Sequence, residues 1–442
     1  MVTIHRHVGS NPASDAYAWW NSLKSSYSLD IHPSKSPCDS YALPGTLNVD
    51  ASNIDENRWI PFDERCQAPR LFERLLIADL DEELDHVDVE DMQWVRNRTV
   101  VLFGDSVARE NIVYFCEASK SFRRNGFLID SSAMQLVGSK LERITWDHPF
   151  APSPRPTHSS PPLAVSENLG AIPQDPDADP ALVEDWQPKS NIGNGEQAHM
   201  GHICRVKKWG LVLVQQFQYG MDQEDYWSFK AGYIPPGSFE DRLHALLHPI
   251  VQAAIEAYQP TRTAPDLVMV NSAFWDTARW VREDMRFERD LDAGLSRDRL
   301  NWYRARVCQA VHEVKKLYPT SAVSWVTHHY PTGNGPSDWF TAGIPQVGHK
   351  SSARPGNTVL RLSELDAAIR TVFGPSAHHS EGSESSISDL EDVRINEWGR
   401  IMLGQEKHMK DALHQALIPG GRLWADMMLF DLQRAVWASE KR

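Results

Sequence analysis

The chain has 442 residues, of which 41% are hydrophobic and 24% are charged. This composition is typical of a soluble globular protein with one large domain or two ordinary ones. The formal net charge is −14 and no stripe of Lys and Arg stands out, which argues against a nucleic-acid-binding surface, because neutralising phosphates requires clustered cations. No stretch reaches the ~18 consecutive apolar residues of a membrane span.

The first 96 residues are polar and Pro-rich at first and then acidic over Asp79–Asp91. We interpret 1–96 as an N-terminal extension that packs on the main domain. Residues 1–15 lack the apolar core of a signal peptide. The protein is therefore expected to be cytoplasmic if this N-terminus is complete, and a targeting segment is missing if it is not.

From Thr99 onward, short apolar runs alternate with helical patterns. The predicted elements in chain order are a strand "TVVLFG" from Thr99, a helix from Val107 to about Lys120, a strand within Trp209–Gly220, a helix over Phe239–Tyr258, a strand within Pro265–Asp276 that runs into a loop, a helix over Arg297–Tyr318 and a strand in "SAVSWVTHHYP". Strands separated by helices predict a parallel sheet covered on both faces.

Two segments interrupt the predicted main domain, 97–442. The segment 151–200 holds nine of the 28 prolines and shows no periodicity. The segment 376–392 is acidic and Ser-rich. Both are predicted to be irregular insertions, either surface loops or disordered chain.

The tripeptide Gly104-Asp105-Ser106 stands where the first of these strands gives way to a helix. Parallel α/β sheets bind ligands at the carboxyl ends of their strands. A serine at a helix N-terminus also has free backbone N–H groups beside it, which can stabilise an oxyanion. These features indicate a nucleophile at Ser106. The simpler alternative is that Asp105 or Ser106 only caps the helix.

A serine nucleophile needs a base and a group that orients the base. Two Asp-x-x-His pairs place both side chains on one side of a turn, Asp411/His414 and Asp241/His244. The first pair precedes a loop marked by "IPGG", whereas the second lies beside the apolar face of a helix. We therefore assign the base to His414. We interpret His244 as a residue on the flank of the helix and Asp241 as a first-turn carboxylate favoured by the helix dipole.

Other candidate ligands have weaker support. The pair His328 and His329 ends the strand in "SAVSWVTHHYP" and could bind substrate or metal, but no carboxylate accompanies it at ligand spacing. Three of the 16 tryptophans could stack on sugar rings, although packing is the simpler interpretation of each. These tryptophans are Trp275, Trp280 and Trp302.

The cysteines form no CxxC pair and no Cys/His spacing suited to zinc, so no metal site is predicted. They are Cys38, Cys66, Cys116, Cys204 and Cys308. In a chain of this length they fit either two disulfides and one buried thiol, or five reduced thiols.

Six short segments resemble the SGNH (GDSL-type) hydrolase superfamily, most closely its PC-esterase or trichome-birefringence-like branch, which acts on acetyl groups of cell-wall polysaccharides. They are "CDSY" at Cys38, "RWIPFDERC" ending at Cys66, "GDSVAREN", "HICRV" with Cys204, "VNSAFWD" and "DALHQALIPGG". The likeness spans most of the chain outside the two insertions. It implies a three-layer α/β/α fold with an N-terminal extension.

The resemblance also implies roles for individual residues. Ser106 would be the nucleophile, His414 the general base and Asp411 its orienting partner, and the Gly220 N–H would complete the oxyanion hole. The third block of the pattern departs from Gly-x-Asn-Asp, since Ala273 and Trp275 fall where Gly and Asn are expected. Asn271 or Arg109 could supply the missing donor, of which we favour Arg109, and Trp275 could contact substrate.

The resemblance further implies disulfides between Cys38 and Cys66 and between Cys116 and Cys204, with Cys308 left as a buried thiol. Such bridges favour a secretory or extracellular location. The expected function is serine-dependent acyl-ester chemistry on carbohydrate, as an O-acetyl esterase or O-acetyltransferase, without metal or cofactor. The alternative is a carbohydrate-binding module that keeps the fold and has no activity.

Overall fold

The computed structural model divides into two compact units, 1–40 and 41–442. It describes residues 38–50, 56–80, 90–117, 139–157, 199–230, 232–331, 358–373, 390, 392–411 and 413–440. Of the first unit only 38–40 are described, so the fold below is that of the second unit. Most of both predicted insertions, 158–198 and 376–389, lies outside the described residues.

A seven-stranded mixed sheet, flanked by helices, forms the centre of this unit, in the order β4-β5-β6-β3-β7-β8-β9. Its strands are β3 Thr99–Gly104, β4 Ser139–Arg143, β5 His202–Val206, β6 Leu211–Phe217, β7 Leu267–Val270, β8 Ala322–Val326 and β9 Arg394–Asn396. A separate antiparallel pair is formed by β1 Gly45–Asn48 and β2 Arg58–Pro61.

The sheet is mostly but not wholly parallel, which corrects the expectation of a parallel sheet. From β6 to β9 each neighbouring pair runs parallel. At the opposite edge, β5 pairs antiparallel with β6, and β4 pairs antiparallel with β5. The sequence "SKLER" of β4 is polar and partly exposed, as an edge strand can be, and it therefore lacks the apolar run that reveals a central strand.

The helices are α1 Leu71–Leu80, α2 Ser106–Glu117, α3 Phe239–Arg242, α4 His248–Tyr258, α5 Phe274–Arg286, α6 Arg297–Leu317, α7 Thr358–Phe373, α8 Trp398–Ile401 and α9 Arg422–Glu440, with a wider turn Leu243–Leu247 joining α3 to α4. The predicted helices are confirmed within the described residues; positions 118–120, at the end of the first of them, lie outside these residues. Helix α5 was missed: the sequence predicted a loop after β7. The segment is rich in charged residues, yet it buries Phe274, Trp275 and Ala278 at helical spacing.

Strand β3 positions the candidate site. All six of its residues are buried, because it lies between β6 and β7 in the middle of the sheet. A run rich in β-branched and aromatic residues suits such a doubly covered strand. Its carboxyl end at Gly104 leads directly into α2, which begins at Ser106.

Two disulfides are present, so the alternative of five reduced thiols is wrong. Cys116 on α2 is bonded to Cys204 on β5. Cys38 and Cys66 are also disulfide-bonded. Cys308 is a free thiol, but it is half-buried and not buried as expected. The Cys116–Cys204 bridge fastens the helix that begins at Ser106 to the antiparallel edge of the sheet. In the described parts of the chain, no helix combines the length and apolar character needed to cross a membrane.

Candidate active site

Ser106 is the first residue of α2 and is half-buried. The preceding carboxylate caps the helix, since Asp105 Oδ1 accepts the backbone N–H of Val107 at 2.9 Å. Of the two candidate caps, Asp105 is therefore the one that caps the helix. The Ser106 hydroxyl is left to bond to another group. The backbone N–H of Ser106 is at the helix N-terminus, where no intrahelical acceptor exists.

The structure brings Ser106, His414 and Asp411 together. His414 Nε2 lies 2.8 Å from Ser106 Oγ, across 308 positions of sequence. On the other side of the ring, His414 Nδ1 lies 3.0 Å from each Asp411 carboxylate oxygen. The His414 side chain is 17% exposed and that of Asp411 is 49% exposed. This hydroxyl–imidazole–carboxylate chain has the connectivity needed to remove a proton from Ser106.

Asp411 is held by its own loop. Its Oδ1 accepts the backbone N–H of Leu413 at 2.8 Å and that of His414 at 2.7 Å. Partial burial acts to raise the pKa of Asp411, but these two N–H groups and the His414 imidazole outweigh it, so the pKa is lowered. Asp411 is therefore ionised at neutral pH and can orient the imidazole by accepting its Nδ1–H.

The loop that carries His414 is fastened to α2 by three contacts. Lys410 Nζ lies 2.7 Å from Glu110 Oε2. Gln415 Nε2 donates to Asn111 Oδ1 at 2.6 Å, and the Tyr114 hydroxyl donates to the Gln415 carbonyl at 3.1 Å. Because all three helix partners follow Ser106 on the same helix, these contacts fix the imidazole relative to the hydroxyl.

His329 supports this loop from the sheet side. Its Nε2 lies 2.7 Å from the Leu413 carbonyl, and burial lowers the pKa of His329 to about 3. A neutral imidazole beside a carbonyl must donate from that nitrogen. The sequence offered His329 as a substrate or metal ligand, whereas the structure places it as a buried support next to His414.

The predicted oxyanion donors differ in how they are placed. Asn271, directly after β7, is buried, with its side-chain oxygen Oδ1 against Gly104 and its NH2 group 3.2 Å from His328 Nε2. Gly220 adopts a φ of 93°, which favours glycine, but its N–H donates to the Oε1 of Gln218. The Arg109 guanidinium lies 6.0 Å from the ring centre of Phe217.

The tryptophans proposed for sugar stacking are packed in the interior. Trp275 is 5% exposed and meets Tyr219 and Trp227 edge-on, with ring centres 5.0 and 4.7 Å apart. Trp280 and Trp302 are 1% and 6% exposed and contact each other. The packing interpretation therefore fits all three side chains.

The second Asp-x-x-His pair lies on the surface of the α3–α4 segment. Asp241 is in the first turn of α3, where its backbone N–H donates to the Ser238 cap. His244 is 48% exposed and its Nε2 lies 3.4 Å from Glu313. These contacts agree with the helix-flank and first-turn positions assigned from sequence.

One contact was missed by the sequence reasoning. His328 Nε2 lies 3.4 Å from Asp105 Oδ2, so the carboxylate partner absent at local spacing comes from a position 223 residues away.

Within the residues described, no group of three His, Cys, Asp or Glu side chains is arranged to hold a metal ion.

Comparison of the sequence with protein-family models and with curated proteins finds no match.

Proposed function

We propose that this chain is a serine-dependent enzyme that cleaves or transfers an ester-linked acyl group. The observation that carries the proposal is the hydrogen bond of 2.8 Å between His414 Nε2 and Ser106 Oγ, with Asp411 on the opposite ring nitrogen. Nucleophile, base and orienting carboxylate thus follow one another within hydrogen-bond distance.

The chemistry proceeds in two halves. Ser106 Oγ attacks the ester carbonyl while His414 Nε2 takes the hydroxyl proton, and the carbonyl electron pair moves onto oxygen. The tetrahedral intermediate collapses when the bond to the leaving alcohol breaks and His414 returns the proton to that alcohol. Water or a second alcohol then attacks the acyl-Ser106 in the same way, which gives hydrolysis or transfer respectively.

The oxyanion would form at the N-terminus of α2. We assign the Ser106 backbone N–H as one donor and the Asn271 NH2 group as a second. The amide lies beside Gly104, two residues before Ser106, with Oδ1 toward that glycine, and a half-turn that exchanges its oxygen and nitrogen would present the NH2 group there. Arg109, one turn along α2, is retained as an alternative second donor. The Gly220 N–H donates to Gln218, so it could donate to the oxyanion only after that hydrogen bond breaks.

The substrate class follows from the sequence resemblance to polysaccharide-acetylating and deacetylating enzymes: an O-acetylated carbohydrate. A secretory or extracellular site of action fits the two disulfides, since such bridges persist in oxidising compartments. The competing proposal is a carbohydrate-binding module without activity. It is favoured by the altered third block at Ala273 and Trp275, and the hydrogen-bonded Ser106, His414 and Asp411 argue against it.

Hydrolysis of p-nitrophenyl acetate by the purified protein tests this proposal. We expect turnover that falls to background in a folded Ser106→Ala variant, whose loss of one hydroxyl leaves the packing intact. Equal rates for both proteins would support the binding module. Mass spectrometry of acetylated oligosaccharides, incubated with and without an unacetylated acceptor, then separates acetyl loss from acetyl transfer.

A further inference from the structure

His328 lies just past the end of β8 and is 2% exposed. Its Nε2 has two polar neighbours, Asp105 Oδ2 at 3.4 Å and the side-chain nitrogen Nδ2 of Asn271 at 3.2 Å. Both neighbours flank the candidate nucleophile: Asp105 precedes Ser106, and the Asn271 amide lies against Gly104. The protonation of this single nitrogen therefore affects two groups at the site.

Asp105 determines where the proton lies. Its Oδ1 already accepts the Val107 N–H at 2.9 Å. Burial acts to raise the pKa of Asp105, but the His328 imidazole and the Val107 N–H outweigh it and the pKa is lowered. An ionised carboxylate only accepts hydrogen bonds. The Nε2 of His328 must therefore carry a hydrogen that points toward Asp105.

That hydrogen in turn determines how the Asn271 amide is turned. A protonated Nε2 and an NH2 group are both donors, so they cannot bond to each other. Rotating an amide by half a turn exchanges its oxygen and nitrogen, and the hydrogen-bond network decides between the two arrangements. In the structure the Asn271 NH2 group faces His328 and its oxygen faces Gly104. The network therefore requires the half-turn: the oxygen then faces His328, and the NH2 group faces Gly104 and the start of α2.

We propose that His328 is a positioning residue: its Nε2–H, held by Asp105, turns the Asn271 amide so that the NH2 group can donate to the oxyanion formed at Ser106. The inference rests on the proposed function and extends it. His328 does not touch substrate. It selects, from two amide orientations of similar shape, the one that presents a donor.

The surroundings keep this arrangement rigid. The Asn271 backbone N–H donates to the Phe103 carbonyl at 3.2 Å, and its carbonyl accepts from Gln218 Nε2 at 2.6 Å. The Phe274 ring lies against the imidazole, with ring centres 4.7 Å apart. A side chain at Gly104 would overlap the Asn271 amide. A donor held in this way needs little reorganisation when charge develops on the substrate oxygen.

The first test is kinetic and uses p-nitrophenyl acetate. Removal of one oxyanion donor typically lowers kcat by roughly 10²–10³-fold. We therefore expect Asn271→Ala to lose kcat on this scale with KM within a few-fold of wild type, since the contact forms only in the transition state. A folded Asn271→Ala protein that keeps its kcat would overturn the proposal.

The second test asks whether His328 acts through Asn271. His328→Leu should lower kcat in the wild-type background. In the Asn271→Ala background, the fold-decrease of kcat caused by His328→Leu should be at least about ten times smaller, because the two changes remove the same interaction. Equal costs in both backgrounds would contradict the proposal. His328→Gln offers N–H donors to both neighbours and should keep kcat within about tenfold of wild type. A fall in folded His328→Gln to the level of His328→Leu would also contradict it.

His248 supplies the control, because its ring is half-buried and, like that of His328, hydrogen-bonded, with Nδ1 3.2 Å from the Tyr318 hydroxyl. His248→Leu should leave kcat unchanged. If His328→Leu does not fold, the kcat values of Asn271→Ala and His328→Gln still test the proposal. Failure of the proposed function is recognised separately, since Ser106→Ala would then leave the hydrolysis rate unchanged, whereas failure of this inference alone leaves a Ser106-dependent rate.

Discussion

Replacing His414 with alanine is expected to lower the rate of Ser106 acylation by roughly 10⁴–10⁶-fold, as loss of a triad base does. The imidazole is the group within hydrogen-bond distance of Ser106 Oγ that can take its proton. Asp411→Asn should cost less, roughly 10²–10⁴-fold, because the base remains and only its orientation and electrostatic support are weakened. Single-turnover acylation with p-nitrophenyl acetate measures all of these rates.

His244→Ala is the control for this prediction. It removes a histidine with the same Asp-x-x-His spacing from an exposed position beside Glu313, and the acylation rate should stay within a few-fold of wild type. If His244→Ala is inactive while His414→Ala remains active, the assignment of the base is wrong. Circular dichroism of each variant shows that the rates compare folded proteins.

Removal of the Cys116–Cys204 bridge is expected to lower the free energy of unfolding by about 2–5 kcal/mol. The bridge closes a loop with a sequence separation of 88, and a loop of that size loses much of its entropy in the unfolded chain when it is cross-linked. Both cysteines are buried, so the alanine pair Cys116→Ala/Cys204→Ala avoids burying new hydroxyl groups. Urea unfolding followed by tryptophan fluorescence measures the change.

Cys308→Ala provides the comparison, since Cys308 is a free thiol on α6. Its midpoint in urea should move far less than that of the Cys116→Ala/Cys204→Ala protein. An equal midpoint for the bridged and unbridged proteins would contradict the stabilising role. Thiol titration of the wild-type protein, denatured without reductant, should find one reactive thiol, and five would mean that neither bridge had formed.

The β3–α2 unit could be predicted from sequence because its signals are local. A short apolar run, a capping Asp105 and a helical pattern all fall within 20 residues of one another. The pairing of Ser106 with His414 could not be predicted from local signals alone, since the two residues are 308 positions apart. It was predicted from the loop setting of Asp411/His414, from the helical setting of Asp241/His244 and from the resemblance to the SGNH superfamily.

Other features depend on tertiary contacts that no local pattern reveals. The carboxylate partner of His328 is Asp105, which lies 223 residues earlier, so a search at ligand spacing could not find it. The Gly220 N–H donates to the Gln218 side chain. This hydrogen bond depends on the rotamer of Gln218, which the sequence does not reveal. Strand β4 was missed because an exposed edge strand carries little apolar pattern.

The most direct test of the central claim is to identify the residue that reacts with a phosphonate ester. Attack by the activated serine traps a tetrahedral adduct that resembles the intermediate, so the reagent marks the nucleophile covalently. We predict one adduct, on the tryptic peptide that contains Ser106, and none on the Ser106→Ala protein. An adduct on a different serine, or no adduct from a protein with measurable esterase activity, would contradict the account.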